Sequence, residues 1–225
     1  MTALDSAAPA SPQWRMGKTD STRTAPDDAE EVGARAAGYR RVAGVDEAGR
    51  GPLAGPVVVA AVVFAEGRFP AGLDDSKKLS AQRREALFVD ILAMGEVAIV
   101  VAPPSEIDRL NIRGATLACM RQALLALPSP VDFALIDGRD LPDALPCPAK
   151  ALVGGDGRSV SIAAASIVAK VTRDAMCPVM DMDAAGYGFS GHKGYGTRAH
   201  MLALSSIGVT PHHRRTFAPV ALAIG

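Results

Sequence analysis

Val42-Ala43-Gly44-Val45-Asp46-Glu47-Ala48-Gly49-Arg50-Gly51-Pro52-Leu53-Ala54-Gly55-Pro56 runs directly into Val57-Val58-Val59-Ala60-Ala61-Val62-Val63-Phe64. Short β-branched runs bounded by Gly and Pro read as buried strands. The stretch is therefore strand, acidic turn, strand. Acids at the mouth of two buried strands need an explanation, because a buried carboxylate is costly unless it is paired or metal-bound. Ionisable groups held in a cleft point to a metal or catalytic site. Neighbouring strand residues face opposite sides, so Asp46 and Glu47 cannot both aim at one point without a bend. Either the strand ends there or Glu47 contributes indirectly, and Asp46 is the firmer candidate.

Two later acids have the same placement. Val131 to Ile136 reads as a strand that stops at Asp137-Gly138, and Ala149 to Val153 as one followed by Gly154-Gly155-Asp156-Gly157. Taken singly, Asp137 suits turn chemistry and Asp156 suits a helix cap. Taken together, Asp46, Asp137 and Asp156 each leave a short apolar strand and enter a Gly-containing loop. In an open α/β sheet such strand ends form the ligand crevice. Several carboxylates gathered there repel one another unless cations intervene. A hard divalent ion with oxygen ligands suits the set, and two such ions about 4 Å apart activate water and stabilise a leaving oxygen at phosphorus. The Gly49-Arg50-Gly51 loop lets backbone approach a ligand closely and offers a guanidinium fork for phosphate. It matches neither the phosphate-loop pattern nor the dinucleotide fingerprint, which weakens a nucleotide-hydrolysis reading.

The rest of the chain frames this centre. Its 225 residues are 48% hydrophobic and 21% charged, ordinary globular usage for one large domain. Aromatics are only 4%, and abundant Ala and Val suggest close helix-on-sheet packing. Residues 1–38, rich in Ala, Pro, Ser, Thr and Asp, read as a disordered tail. Ser80 should cap a helix over about 81–93, and residues 96–102 should form a strand. A short helix over 105–110, a longer one over 112–126, a helix from Ser159 to about Cys177 and another over about 197–206 complete the pattern. In the Ser159 helix, Lys170 and Arg173 fall towards the polar side. Formal net charge is zero, yet residues 186–225 contain no Asp or Glu and carry Lys193, Arg198, Arg214, Arg215 and all four histidines. An acid-free basic end suggests phosphate contact. Cys119, Cys147 and Cys177 have neither zinc-site nor disulfide-framework spacing, no apolar run approaches a membrane span, and the N-terminus lacks a signal pattern. The expectation is a cytoplasmic α/β layer protein with a mixed sheet.

Six blocks in order resemble the ribonuclease HII family. They are Gly44-Val45-Asp46-Glu47-Ala48-Gly49-Arg50-Gly51-Pro52, Asp75-Ser76-Lys77-Lys78-Leu79-Ser80, Ile136-Asp137-Gly138, Gly155-Asp156, Ala163 to Val171, and His192-Lys193-Gly194-Tyr195-Gly196-Thr197. The resemblance spans about Tyr39 to Phe217. It implies an RNase H-like mixed β-sheet flanked by helices over 39–180, with a small basic helical part over 181–225 completing the substrate groove. It implies Mg²⁺- or Mn²⁺-dependent cutting, with two ions, of RNA in RNA–DNA hybrids and 5′ of single ribonucleotides in duplex DNA, leaving 3′-hydroxyl and 5′-phosphate ends. Asp46, Glu47, Asp137 and Asp156 would be the acidic quartet. Gly49, Arg50 and Gly51 would read the ribose 2′-hydroxyl, and Tyr195 would pack on the deoxyribose at the junction. Lys77, Lys193 and Arg215 would touch phosphates, and the protein would act as a monomer. Gly157 departs from the small residue, such as Ala, that more often follows the family's last acid. The rivals are another nuclease or strand-transfer enzyme on this fold acting on DNA, a non-catalytic nucleic-acid binding module, and a small-molecule α/β protein.

Overall fold

The computed structural model describes residues 25–224. One five-stranded sheet has the order β3-β2-β1-β4-β5, formed by β1 (Val42–Ala48), β2 (Val57–Phe64), β3 (Gly95–Ala102), β4 (Phe133–Asp137) and β5 (Ala149–Leu152). The β1-β2-β3 pairs are antiparallel, whereas β1-β4 and β4-β5 are parallel, giving the mixed sheet expected. Every residue of β2 is buried, which is why that run is apolar without alternation. Its two faces fill two separate cores. Val57, Val59, Ala61 and Val63 pack towards α3 (Pro104–Leu125), and Val58, Ala60, Val62 and Phe64 towards α2 (Ala81–Met94) and α4 (Val160–Asp183).

The two helices expected around Ile107 and Leu117 form one element broken at Asn111, whose φ of 56° and ψ of 167° are non-helical. Asn111 Oδ1 accepts from the Gly114 amide at 3.0 Å and so caps the second half. Ser80 and Ser159 cap α2 and α4, accepting from the amides of Arg83 and Ile162. Helix α4 continues past the expected end at Cys177 through Pro178, because Cys177 and Met180 are buried against the C-terminal part. Its other end meets β1 closely. A Cβ on Gly44 would lie 2.2 Å from the Ser161 carbonyl carbon, so only glycine lets helix and strand approach this far.

The N-terminal expectation needs correction. Residues 25–38 are not a disordered stretch, since α1 spans Ala29–Ala36. The remainder of the expected tail lies outside the described residues. Ala34 packs with Val42, Phe133, Leu135, Leu152 and Ile162. The buried Glu31 carboxylate accepts from Ser159 Oγ at 2.6 Å, Ser161 N at 2.9 Å and Ser161 Oγ at 2.5 Å. A negative group at the start of α4 meets its unpaired amides and positive dipole end. That tertiary anchor, absent from local periodicity, stabilises a helix of only eight residues.

The C-terminal part is helical, as expected, with α5 (Phe189–His192), α6 (Arg198–Ile207) and α7 (Ala218–Ile224). No helix among the described residues is long and apolar enough to cross a membrane.

Candidate active site

Parallel pairing of β1 with β4 sets the site. Val45 is in register with Ile136, so the next residues along, Asp46 and Asp137, stand side by side at the strand ends. Alternation turns Asp46 to the α4 side, where its carboxylate is 4% exposed beside Ser166. Strand β1 runs unbent through Glu47 to Ala48, yet both acids border one cleft of about 290 Å³ because that cleft opens at the sheet's end. The parity problem is thus resolved by position: Glu47 faces the other side of the strand and reaches the cleft from its rim. Its Oε1 takes a hydrogen bond from Arg50 at 3.2 Å.

The same cleft is lined by Asp137, the Gly49-Arg50-Gly51 loop, Ser76, Lys77, Ser166, Lys170, Arg173 and Tyr195. Asp156 sits in a 3₁₀ turn, Gly155–Gly157, just behind it. The Gly155 amide donates to Asp137 Oδ1 at 2.7 Å, and Lys77 Nζ reaches Asp156 Oδ2 at 3.2 Å and Asp75 Oδ1 at 3.7 Å. Asp156 therefore does not cap α4, a task that falls to Ser159. Arg84 donates to the Ser76 carbonyl at 2.8 Å and fixes the loop that carries Lys77. Ser76 and Ser166 join hydroxyl to hydroxyl at 2.9 Å beside Asp46.

The electrostatics follow from burial and crowding. Burial pushes the Asp46 carboxyl well above its ordinary value, and the charges of Glu47 and Asp137 push it further. Glu47 is raised by burial against the opposing pull of Arg50. Asp137 is raised by burial, with the Gly155 amide opposing and the Asp156 charge adding. Lys77 is raised despite burial, because Asp156, Asp75 and Asp46 all favour its charged form. Among the described residues no three carboxylates, thiols or imidazoles already stand at metal-ligand spacing. The donor set nevertheless fits a hard divalent cation: it is all oxygen, it converges on one cleft, and its negative charges favour protonation, the condition a cation offsets.

Of the three expected phosphate contacts, Lys77 lines the cleft. Lys193 and Arg215 do not line the cleft. The Lys193 carbonyl accepts from Arg173, and the Arg215 amide donates to Asp108 Oδ2 at 3.0 Å. Arg173, expected towards the polar side of α4, is 1% exposed. Arg214 is fully buried, and its guanidinium donates to the carbonyls of Gly49, Arg50, Gly55 and Pro56. Burial and the nearby Arg173 charge lower it to about 9, which leaves it cationic at neutral pH. Two of the histidines, His200 and His213, are buried, and His192 and His212 are half-buried beside them. His192 stacks on His200, and His200 Nε2 meets His213 Nε2 at 3.1 Å. Burial lowers both His200 and His213, the latter to about 4, so this pair is neutral. The acid-free end of the sequence therefore buries Arg214 and the His200–His213 pair, while Arg198 and Arg215 stay exposed.

That C-terminal part is stitched onto the glycine loop. Leu53 N donates to the Gly194 carbonyl at 2.8 Å, Gly55 N to His212 O at 2.8 Å, and Arg214 N to Leu53 O at 2.9 Å. Tyr195, 47% exposed, is thereby held over Gly51, where an added Cβ would meet the ring at 3.4 Å. Ser166, Lys170, Arg173 and Arg214 are site residues that spacing alone did not single out.

Comparison with known proteins agrees with this geometry. The family model described as Ribonuclease HII matches residues 43–220. The chain is similar to the ribonuclease HII of Cereibacter sphaeroides, 54% identical over 195 residues that cover 87% of this chain and 92% of the relative. It is likewise similar to that of Agrobacterium fabrum, at 51% over 201 residues covering 89% and 93%. Among solved structures it resembles the ribonuclease H2 of Pyrococcus horikoshii OT3, with a TM-score of 0.69, 26% identity and coverage of 81% and 96%.

Proposed function

The chain belongs to the ribonuclease HII family and is an endoribonuclease, and from that premise we propose how its cleft selects and cuts a strand. The substrates are RNA–DNA hybrids and duplex DNA with a single embedded ribonucleotide, cut on the 5′ side of the ribonucleotide to leave 3′-hydroxyl and 5′-phosphate ends. The observation that carries the reading is the convergence of Asp46, Glu47 and Asp137 on a cleft also lined by the Gly49-Arg50-Gly51 loop and Tyr195.

Asp46 and Asp137 would hold a divalent cation, Mg²⁺ or Mn²⁺, with Glu47 and Asp156 completing the set. A pair of such ions would supply Lewis-acid activation of water and neutralise charge at phosphorus. The side chains do the rest. Ser166 and the Glu47 amide orient the Asp46 carboxylate, and the Gly155 amide fixes Asp137. Arg50 and Lys77, both beside the acids, attract and position the strand's phosphates. Close-packed backbone at residues 49–51 reads the 2′-hydroxyl, the group that separates RNA from DNA. The Tyr195 ring packs on the neighbouring deoxyribose, a contact that tolerates sequence. The enzyme acts as a monomer, and its three unpaired cysteines suit a reducing cytoplasm.

Three duplexes test the reading: one with a single ribonucleotide, one RNA–DNA hybrid, and one all-deoxy control, each with and without divalent cation. Cation-dependent cutting of the first two, with product ends as above, is expected. Equal cutting of the all-deoxy duplex would favour a DNA nuclease on the same fold, and cation-independent binding without turnover would favour a binding module.

A further inference from the structure

We infer that Arg214 is a positioning residue for ribonucleotide recognition: from beneath the glycine loop it turns two backbone amides towards the cleft. The inference rests on the reading of residues 49–51 as the element that senses the 2′-hydroxyl.

Arg214 is fully buried, and its guanidinium donates to the carbonyls of Gly49 at 2.5 Å and Arg50 at 2.9 Å. In a planar trans peptide the carbonyl and the following N–H point in opposite directions. With the Gly49 carbonyl turned down onto Arg214, the Arg50 N–H points up; with the Arg50 carbonyl turned down, so does the Gly51 N–H. Both residues are exposed and line the cleft. Neither amide has a hydrogen-bond acceptor among the described residues. Two successive outward amides form a small concavity that accepts an oxygen atom, and the Tyr195 ring lies alongside.

The remaining bonds of Arg214, to Gly55 and Pro56, anchor the far end of the loop, so the fork braces both sides of the turn. Arg173 supports it from the other flank, donating to the Ala54 carbonyl, and a Cβ on Gly49 would come within 2.4 Å of its Nε. A planar five-donor group makes such a brace, whereas a lysine ammonium does not reproduce its fixed fork. The buried cation also polarises both peptide units, which strengthens their N–H groups as donors.

The test is binding of two duplexes, identical except for one ribonucleotide, to Asp46→Asn protein with and without Arg214→Lys. The expected result is a loss of about tenfold in the ribo-over-deoxy affinity ratio, the size of two misaligned hydrogen bonds, with all-deoxy affinity changed by less than about twofold. An unchanged ratio, or a parallel fall for both duplexes, overturns the inference. Should the lysine variant not fold, hydrogen exchange on the unaltered chain decides. The Arg50 and Gly51 amides should exchange freely alone and gain protection with the ribonucleotide duplex only. Protection already present in the free chain would mean that they point inward, against the inference. If the Arg214-intact protein shows no ribo-over-deoxy preference, it is the ribonucleotide reading itself that fails.

Discussion

Asp46→Asn should remove turnover and, in the cation-free chain, raise stability. Asp46 and Asp137 are the residues that follow the Val45–Ile136 register pair on adjacent parallel strands, which places them about 5 Å apart. Two unit charges at that spacing repel by about 3 kcal/mol at an effective dielectric constant of 20. Lys77 offsets part of this through Asp137 and Asp46, so the variant should gain about 1–2 kcal/mol, or about 2–8 °C in Tm for a chain of this size. The pH dependence has a definite sign. Burial first, then Glu47 and Asp137, raise the folded Asp46 carboxyl above its unfolded value. The stability given by its proton is therefore fully present below about pH 4 and lost as pH rises through the folded value. The advantage of asparagine should be small near the acid end and largest at about pH 8. Thermal unfolding in chelator measures this, and saturating Mn²⁺ should reverse the order by stabilising only the unaltered chain. A variant less stable at pH 8 without cation, or an offset independent of pH, would refute the account of the cleft as an excess of buried negative charge.

Other changes probe the frame and the specificity. Glu31→Ala should cost about 2–3 kcal/mol, since it strips a buried acceptor from three donors at the start of α4; an unchanged Tm would mean that α1 does not anchor that helix. Gly44→Val should destabilise by at least about 3 kcal/mol, because its Cβ would meet the Ser161 backbone at 2.2 Å, and a mild effect in urea unfolding would contradict the close approach. Tyr195→Ala should lower kcat/KM about three- to tenfold at single ribonucleotides; an equal loss on long hybrids would argue against packing at the junction.

The fold was largely legible because its strands are short apolar runs bracketed by Gly and Pro, and because Ser80 caps a helix where its spacing suggests. The acids were legible for the same reason: Asp137 ends β4, Asp46 lies near the end of β1, and Asp156 stands in the turn that follows β5. What local pattern hides is tertiary. Helix α1 buries Glu31 and Ala34 rather than an apolar stripe, and Glu31 meets Ser159 and Ser161, about 130 residues away in sequence. Arg173 and Arg214 look like surface charge, yet both are buried because loop carbonyls meet their guanidinium groups. At the C-terminus His200 and His213 are buried against one another, which composition does not reveal, while Arg198 and Arg215 are exposed. Glu47 shows the limit of parity arguments: alternation decides which side of a strand a residue takes, but a cleft at the strand's end collects both sides.

Anomalous scattering from Mn²⁺ in crystals of the chain with a ribonucleotide-containing duplex decides whether the carboxylates of neighbouring strands hold the ion. A peak is expected within about 2–2.5 Å of carboxylate oxygens of both Asp46 and Asp137, beside the residue 49–51 loop. A cleft empty at saturating Mn²⁺, with any peak lying instead on the histidine cluster, would contradict that placement.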